Sequence, residues 1–546
     1  MSGYNLPNRR LVSQNDQSMI ERADVPRSRF TGSWTRKTTF DAGRLIPFLV
    51  EEVLPGDHLK YNVTAYVRMS TPLFPMFDNQ RIDTHFFFVP NRLVWTNWAR
   101  FMGEQDDPNN FTVFTVPQVV SPSGGWAKNS IYDHMGIPVA SQITAGQTIS
   151  VNALPLRALN LIFNEWFRDQ NVSNSAIVER GNGPEVNPAY YGIFRRQKSH
   201  DYFTSALPWP QKTLVQPFIP LSGQAPVVGI GAAATTVWNT GPYTANETSA
   251  SGVSYPFARF TADANQAQSL LVRGVGSVTG GKPAIYADLT ATAVGIAINT
   301  FRQSMALQSL LERDARGGTR YVEVIKSHFG VTSPDARLQR PEFIGGGSTP
   351  LNLTPVAQTA PTAGVPVGAL GAAGTGVGQH KASYASTEHG FIIGLISIKS
   401  ELSYQQGLHK SWTRQTRYDY YWPAFAQLGE QAVLRQEIYC TGVDADDTLV
   451  FGYQERWHEY RTRVSEVTGQ FRSTATGTLD PWHLSQRFVS APILDSNFMA
   501  DDPPMARVLA AGALAVDQQY LADILSQRDA VRPLPMYSTP SNLGRF

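Results

Sequence analysis

Five arginines, Arg313, Arg316, Arg320, Arg337 and Arg340, alternate with Glu312, Asp314, Glu323, Asp335 and Glu342 in the stretch from Glu312 to Pro350. Guanidinium forks match phosphate and carboxylate oxygens two at a time. The run can therefore line a phosphate site, or pair with carboxylates and join subunits. The residues alone leave both open.

Other chemistry is harder to assemble. A phosphate-binding loop needs its glycines followed by Lys and then Ser or Thr ahead of a helix, but Gly280, Gly281 and Lys282 run into Pro283. V-D-A-D-D-T from Val443 has Glu455 at the twelfth position after Asp444 inclusive, the spacing of a calcium loop, yet Leu449 stands where the sharp turn needs glycine. An acidic surface turn is expected there, with a loosely held divalent ion left open. The ten histidines show no H-E-x-x-H or H-x-H spacing, and no G-x-S-x-G elbow presents a serine. Cys440, the single cysteine, excludes an internal disulfide and reads as a small buried hydrophobe. No cofactor and no catalytic residue is implied.

The first 45 residues hold a different chemistry. Arg9, Arg10, Arg22, Arg27, Arg29, Arg36, Lys37 and Arg44 outnumber Asp16, Glu21, Asp24 and Asp41, with Phe30 and Trp34 among them. Basic residues with interleaved aromatics suit single-stranded nucleic acid, the cations on phosphate and the rings under bases. Arg27, Arg29, Arg36 and Lys37 are the candidates for phosphate and Trp34 for stacking. A plain solvated arm fits equally well.

The elements that must carry these residues are mainly strands. From Leu59 to Val67, alternate residues Leu59, Tyr61, Val63, Ala65 and Val67 share one face, as in a half-buried strand. Residues 40–54 read as another, where Pro47 demands an edge or a bulge. Arg81 to Pro90 is a third, and the apolar run after His389 suits a strand buried on both faces. Tyr418–Trp422 and Leu449–Tyr453 are shorter candidates. Two helices are expected, Leu156 to Phe167 behind Pro155 and Ile298 to Arg313.

Two neutral stretches, Leu221 to Val294 and Gly345 to Thr387, read as ordered insertions. The expected organisation is a basic arm at 1–45 and the first part of a β-fold with inserted helices at 46–210, followed by the first neutral stretch. The remainder follows at 298–546, with the second neutral insertion at 345–387.

Charged residues are 16% of the chain, net charge is +2, and there are 11 Trp, 21 Tyr and 28 Phe. That composition suits broad packed contacts rather than nucleic-acid condensation. No apolar run reaches the length of a membrane span, and no signal-type segment opens the sequence. Strands separated by long insertions favour a mainly β fold, an antiparallel β-sandwich such as a jelly roll, with long loop insertions and a few helices. A carbohydrate-binding β-sandwich and a phosphate-binding enzyme on the 312–342 segment are the alternatives.

Several segments narrow this. T-T-F-D-A-G from Thr38, D-T-H-F-F-F-V-P-N-R-L-V-W-x-N-W from Asp83, L-P-W-P-Q-K from Leu207, R-Q-T-R-Y-D-Y-Y-W-P-A from Arg414 and F-G-Y-Q-E-R from Phe451 occur in this order. With G-E-Q-A-V-L from Gly429 and the motif from Phe471, they resemble the major capsid proteins of gokushovirus-type microviruses (Microviridae), small single-stranded DNA bacteriophages. The resemblance covers nearly the whole chain.

It implies a virion protein with an eight-stranded antiparallel jelly-roll capsid fold, a homo-oligomer of sixty copies in a T=1 icosahedral capsid, assembled in the bacterial cytoplasm around a circular genome. It also implies partners: an internal scaffolding protein, a small basic DNA-binding protein, a minor spike or pilot protein and a host surface receptor. In that family the segment corresponding to 211–297 is a variable surface insertion, three copies of which would form a protrusion at each threefold axis, with Leu221 to Val294 displayed for host attachment. At +2 per copy, most genome charge must be neutralised by other cations. On this reading Arg313, Arg316, Arg320, Asp335, Arg337 and Arg340 become subunit-contact or ion-pair residues.

Overall fold

The computed structural model describes residues 26–105, 107, 113–185, 187–212, 224–226, 286–288, 298–318, 321–330, 339–357, 359, 368, 370–510 and 518–537. The chain divides into two compact units, Met1–Pro210 with Gly318–Phe546, and Gln211–Gly317.

In the first unit, alternating apolar residues build an antiparallel sheet of eight strands among the described residues. They are β1 (Ser28–Phe40), β2 (Ile46–Val53), β3 (His58–Met69), β4 (Gln80–Pro90), β5 (Glu342–Ala357), β6 (Leu370–Ala385), β7 (Gly390–Ser400) and β8 (Tyr520–Arg532). Their order is β1-β8-β3-β6-β5-β4-β7-β2. The chain steps between the halves β1-β8-β3-β6 and β5-β4-β7-β2, leaving a half at every connection except β4 to β5. This is the wrapping of a jelly roll.

The two halves face each other across one apolar core. Leu59, Tyr61, Val63, Ala65 and Val67 all point into it, as their period of two requires. Phe86 of β4 meets Phe48 edge-on at 5.6 Å and stacks on Tyr61 at 6.3 Å. β7 is buried at every residue, because its outer side chains Phe391, Ile393 and Leu395 pack in a second core. Helix α1 (Leu154–Ile162), with Pro155 in its first turn, closes that core from outside and continues into a π-helical turn, Phe163–Phe167. Pro47 sits both on an edge strand and at a bulge: Leu395 pairs with Pro47 but Gly394 with Leu49, leaving Phe48 as the extra residue.

A third cluster, including Phe203, Tyr404, Val433 and Phe451, surrounds a two-stranded ladder of Glu430–Leu434 with Val450–Glu455. The second unit contains helix α2 (Ile298–Arg316) and a short ladder of Gln224–Pro226 with Tyr286–Asp288. Helix α3 (Tyr321–Phe329) belongs to the first unit.

Four expectations need correction. Residues 28–40 are not arm but strand β1, paired along its length with β8. The stretch 345–387 is not an insertion: it supplies most of β5 and β6, two neighbouring strands of the barrel. Its small residues reflect close approach, since a Cβ on Gly346 would stand 2.3 Å from the Thr84 carbonyl oxygen, and one on Gly347 equally close to the His380 ring. Gly345 to Gly347 are therefore strand residues.

Tyr418–Trp422 is not a strand either. The Asp419 carboxylate accepts from the backbone of Gln415 and Thr416 and from the Thr416 hydroxyl, which folds the segment into a 3-10 turn, and Pro423 opens another. Finally, Cys440 is exposed, its thiol turned to Asp447 Oδ2 at 3.5 Å.

Candidate functional site

The basic residues near the N-terminus divide between the two faces of β1, because side chains alternate along a strand. Arg29 and Lys37 lie on the exposed face, whereas Trp34 and Arg36 turn inward. Arg29 makes a fork-to-fork pair with Asp529, Nε to Oδ1 at 2.7 Å and Nη2 to Oδ2 at 2.6 Å. Lys37 pairs with Asp523 at 2.5 Å. Arg36 donates to the Phe48 carbonyl at 3.1 Å, and Arg27 to that of Gly56. Trp34 packs against the core, with the Arg528 guanidinium 5.6 Å from its ring.

These five residues thus form no single surface. Arg36 and Lys37 do meet Arg68, Tyr66, Asp133 and Asp523 in one cleft of about 650 Å³. Three cations face two carboxylates there, enough to hold an anion but too few to track a backbone.

The arginine run is distributed likewise. Arg313 and Arg316 occupy the last turn of α2 in the second unit, where cations suit the helix C-terminus. Arg340 belongs to the first unit and sits 5.4 Å over the Trp166 ring, while Trp166 Nε1 donates to the Pro341 carbonyl at 2.8 Å. Arg320, Asp335 and Arg337 lie outside the described residues, as does all of Leu221 to Val294 except the two short strands.

Ion pairs absent from the sequence reading dominate the interior. Arg157 and Glu185 meet at 2.6 Å without solvent exposure, and Arg157 also donates to the carbonyls of Val94 and Gly181. Arg196 bridges Asp83 and Ser397, and although burial opposes charge at Asp83, Arg196 and Ser348 hold it below the usual carboxylate range. Asp501 is buried nearby with neither carboxylate oxygen hydrogen-bonded among the described residues. Burial pushes it up to about 6 despite Lys399, Lys198 and Arg196, and pushes both lysines down to about 8. No local signal links residue 157 to 185 or 83 to 196.

The calcium-like pattern resolves into a capped turn. Asp447 accepts from the backbone of Thr441 and Gly442 and from the Thr441 hydroxyl, each at 2.8 Å, and Glu455 pairs with Arg461, six residues further along the chain. Among the described residues no three His, Cys, Asp or Glu gather as metal ligands, and no helix is long and apolar enough to cross a membrane.

An aromatic surface is the feature sequence reasoning passed over. Trp412, Tyr418, Tyr420, Tyr421, Trp422 and Tyr460 are each about half or more exposed. Arg414 lies over Tyr460 at 4.6 Å and pairs with the buried Glu459 at 3.0 Å. Arg417 lies over Tyr418 at 4.9 Å and makes no ion pair among the described residues. Exposed aromatics with arginine mark contact surfaces, not solvated loops.

A jelly roll with elaborate loops is the architecture of icosahedral shell subunits, and also of lectins and cupins. The comparisons decide among these. The phage family described as "Capsid protein (F protein)" matches residues 18–542, and the chain belongs to it. The "Capsid protein VP1" of Bdellovibrio phage phiMH2K is 41% identical over 553 residues, 98% of this chain and 99% of that protein. That of Chlamydia phage 1 is 40% identical over 615 residues, at 98% and 99%, and that of Spiroplasma virus 4 is 34% identical over 549, at 96% and 97%. The chain is a virion structural protein of the microvirus type.

Proposed function

We propose that sixty copies of this chain form a T=1 icosahedral shell around a circular single-stranded DNA genome. The observation that carries this reading is the match to three phage capsid proteins along nearly their full length. The jelly roll supplies the wall, and the loop surfaces supply contacts between copies. The internal scaffolding protein, the minor spike or pilot protein and a small basic DNA-binding protein complete the particle. The basic helper answers a physical need, since a chain at +2 neutralises little of a packaged genome.

Within this shell, Arg36, Lys37 and Arg68 in the β1 cleft are the phosphate contacts, reading no bases. Leu221 to Val294 is the outward insertion and the site of host attachment, consistent with a separate unit at 211–317. Co-expression with the scaffolding protein should give uniform shells by negative-stain microscopy; unassembled chain under those conditions overturns the proposal. Deleting 221–294 should leave intact particles that no longer adsorb. Failed assembly would instead make the insertion a structural spacer. Reversing the charge of Arg36 and Arg68 should reduce packaged DNA, and unchanged packaging would remove the cleft from the DNA path.

A further inference from the structure

The Glu430–Leu434/Val450–Glu455 ladder carries two unlike surfaces at opposite ends. At one end Glu430 pairs with Glu455, the Arg456 amide donates to the Gly429 carbonyl at 3.0 Å, and Trp457 Nε1 donates to the Phe425 carbonyl at 3.1 Å. Tyr421 rests edge-on against Trp457 at 5.6 Å, and Trp422 Nε1 holds the Arg417 carbonyl at 2.8 Å. These bonds fix the aromatic surface in place before any partner arrives. Arg417 is its exposed cation without a carboxylate.

At the other end Leu434 pairs with Val450, and the Arg435 amide donates to the Leu449 carbonyl at 2.8 Å. Here Val443, Leu449 and Val450 are each about half exposed. Asp444 and Asp446 are exposed beside them and make no ion pair among the described residues. Asp447, the third acid, is consumed by its cap. The first end therefore offers rings and an unpaired cation; the second offers aliphatic side chains and unpaired carboxylates.

We infer that the aromatic end of this ladder docks on the acidic end of the same ladder in a neighbouring copy, Arg417 against Asp444 and Asp446. The inference rests on the shell reading and names the surfaces by which copies join. Because the complementary patches differ and lie about 13 Å apart along the ladder, each copy gives one and receives one. Such a contact is heterologous and continues past a dimer, into a ring where its rotation closes, as a closed shell requires. Single-stranded DNA is the poorer occupant: Arg414 and Arg461 are already neutralised by Glu459 and Glu455, and Arg456 is half-buried over the Trp457 ring, so Arg417 has few exposed free cations beside it to follow a phosphate backbone.

Charge exchange tests it. Arg417→Glu, and separately Asp444→Arg with Asp446→Arg, should each reduce shell yield at least tenfold on a sucrose gradient, with the melting temperature of the free chain unchanged. Combining all three substitutions should restore shells. In a Cys440→Ser background, Arg417→Cys with Asp446→Cys should give an oxidised ladder extending past the dimer in assembled particles. Full yield in both charge variants, or cross-links that stop at the dimer, overturns the contact while leaving the capsid reading intact. Loss of binding to an oligonucleotide in Trp422→Ala, with normal assembly, also overturns it in favour of nucleic acid. Absence of wild-type particles overturns the capsid reading and the contact together.

Discussion

Arg157 Nε donates to Glu185 Oε1 at 2.6 Å, and neither side chain reaches solvent. The pair ties α1 to the loop that crosses the outer face of the β4–β7 core. Removing one partner leaves the other charged and buried. Arg157→Ala or Glu185→Ala should cost about 3–5 kcal/mol in urea unfolding, whereas a volume-matched double apolar replacement should cost much less. Equal losses for single and double variants would show that packing, not charge, sets the value.

Asp501 supplies a pH dependence with a definite sign. Its carboxyl is pushed up to about 6 from 3.8 by burial, so the native state holds the proton more tightly than the unfolded chain. The stability it contributes is present at low pH and lost as pH rises through about 6. Two pK units correspond to about 3 kcal/mol. The stability of the wild type relative to Asp501→Asn should therefore fall by about that amount between pH 4 and 7. Lys198 and Lys399, pushed down to about 8, behave conversely: their contribution is full above 10.5 and lost as pH falls through 8.

Gly346→Ala should destabilise the barrel by about 1–3 kcal/mol or more, because the new methyl meets a backbone oxygen that cannot turn away. Gly371→Ala on the adjoining β6 provides the control, its nearest atom lying 3.8 Å away. Thermal unfolding of the two variants should differ clearly.

Arg340→Ala should cost about 0.5–1 kcal/mol, the worth of an exposed cation over an indole. Arg340→Lys should recover part of it, since the charge stays while the planar stacking is lost.

Calcium titrated into the chain at millimolar concentration should give no calorimetric heat from the Asp444–Glu455 segment. The Asp447 oxygens are occupied by two backbone amides and a hydroxyl, which also hold this carboxylate below its usual range. Heat that disappears in Asp447→Ala would reverse this reading.

Where a residue's neighbours along the chain determine its fate, the sequence was sufficient. The alternation of β3, the unbroken apolar run of β7 and the helix behind Pro155 all follow from period and burial. Pro47 announced an edge and a bulge because it lacks a donor for the ladder. β1 was opaque for a different reason: Arg29, Thr31, Ser33, Thr35 and Lys37 make one face look like a solvated arm, and the carboxylates that neutralise it arrive from residues 523 and 529. β5 and β6 were hidden by glycines whose purpose, clearance from Thr84 and His380, exists only in three dimensions. The aromatic surface had β-favouring residues, but the Asp419 cap overrode them.

The strand order has a consequence for synthesis. β8, the last of the eight strands to be made, lies between β1 and β3, which are among the first. Until it emerges, both early strands expose unpaired edges. The barrel is therefore completed only after translation has passed residue 532, and a truncated chain retains two adhesive edges. Closure by the final strand seals an edge of β1 and an edge of β3 in one step, so the N-terminal half of the sheet depends on the C-terminal end of the chain.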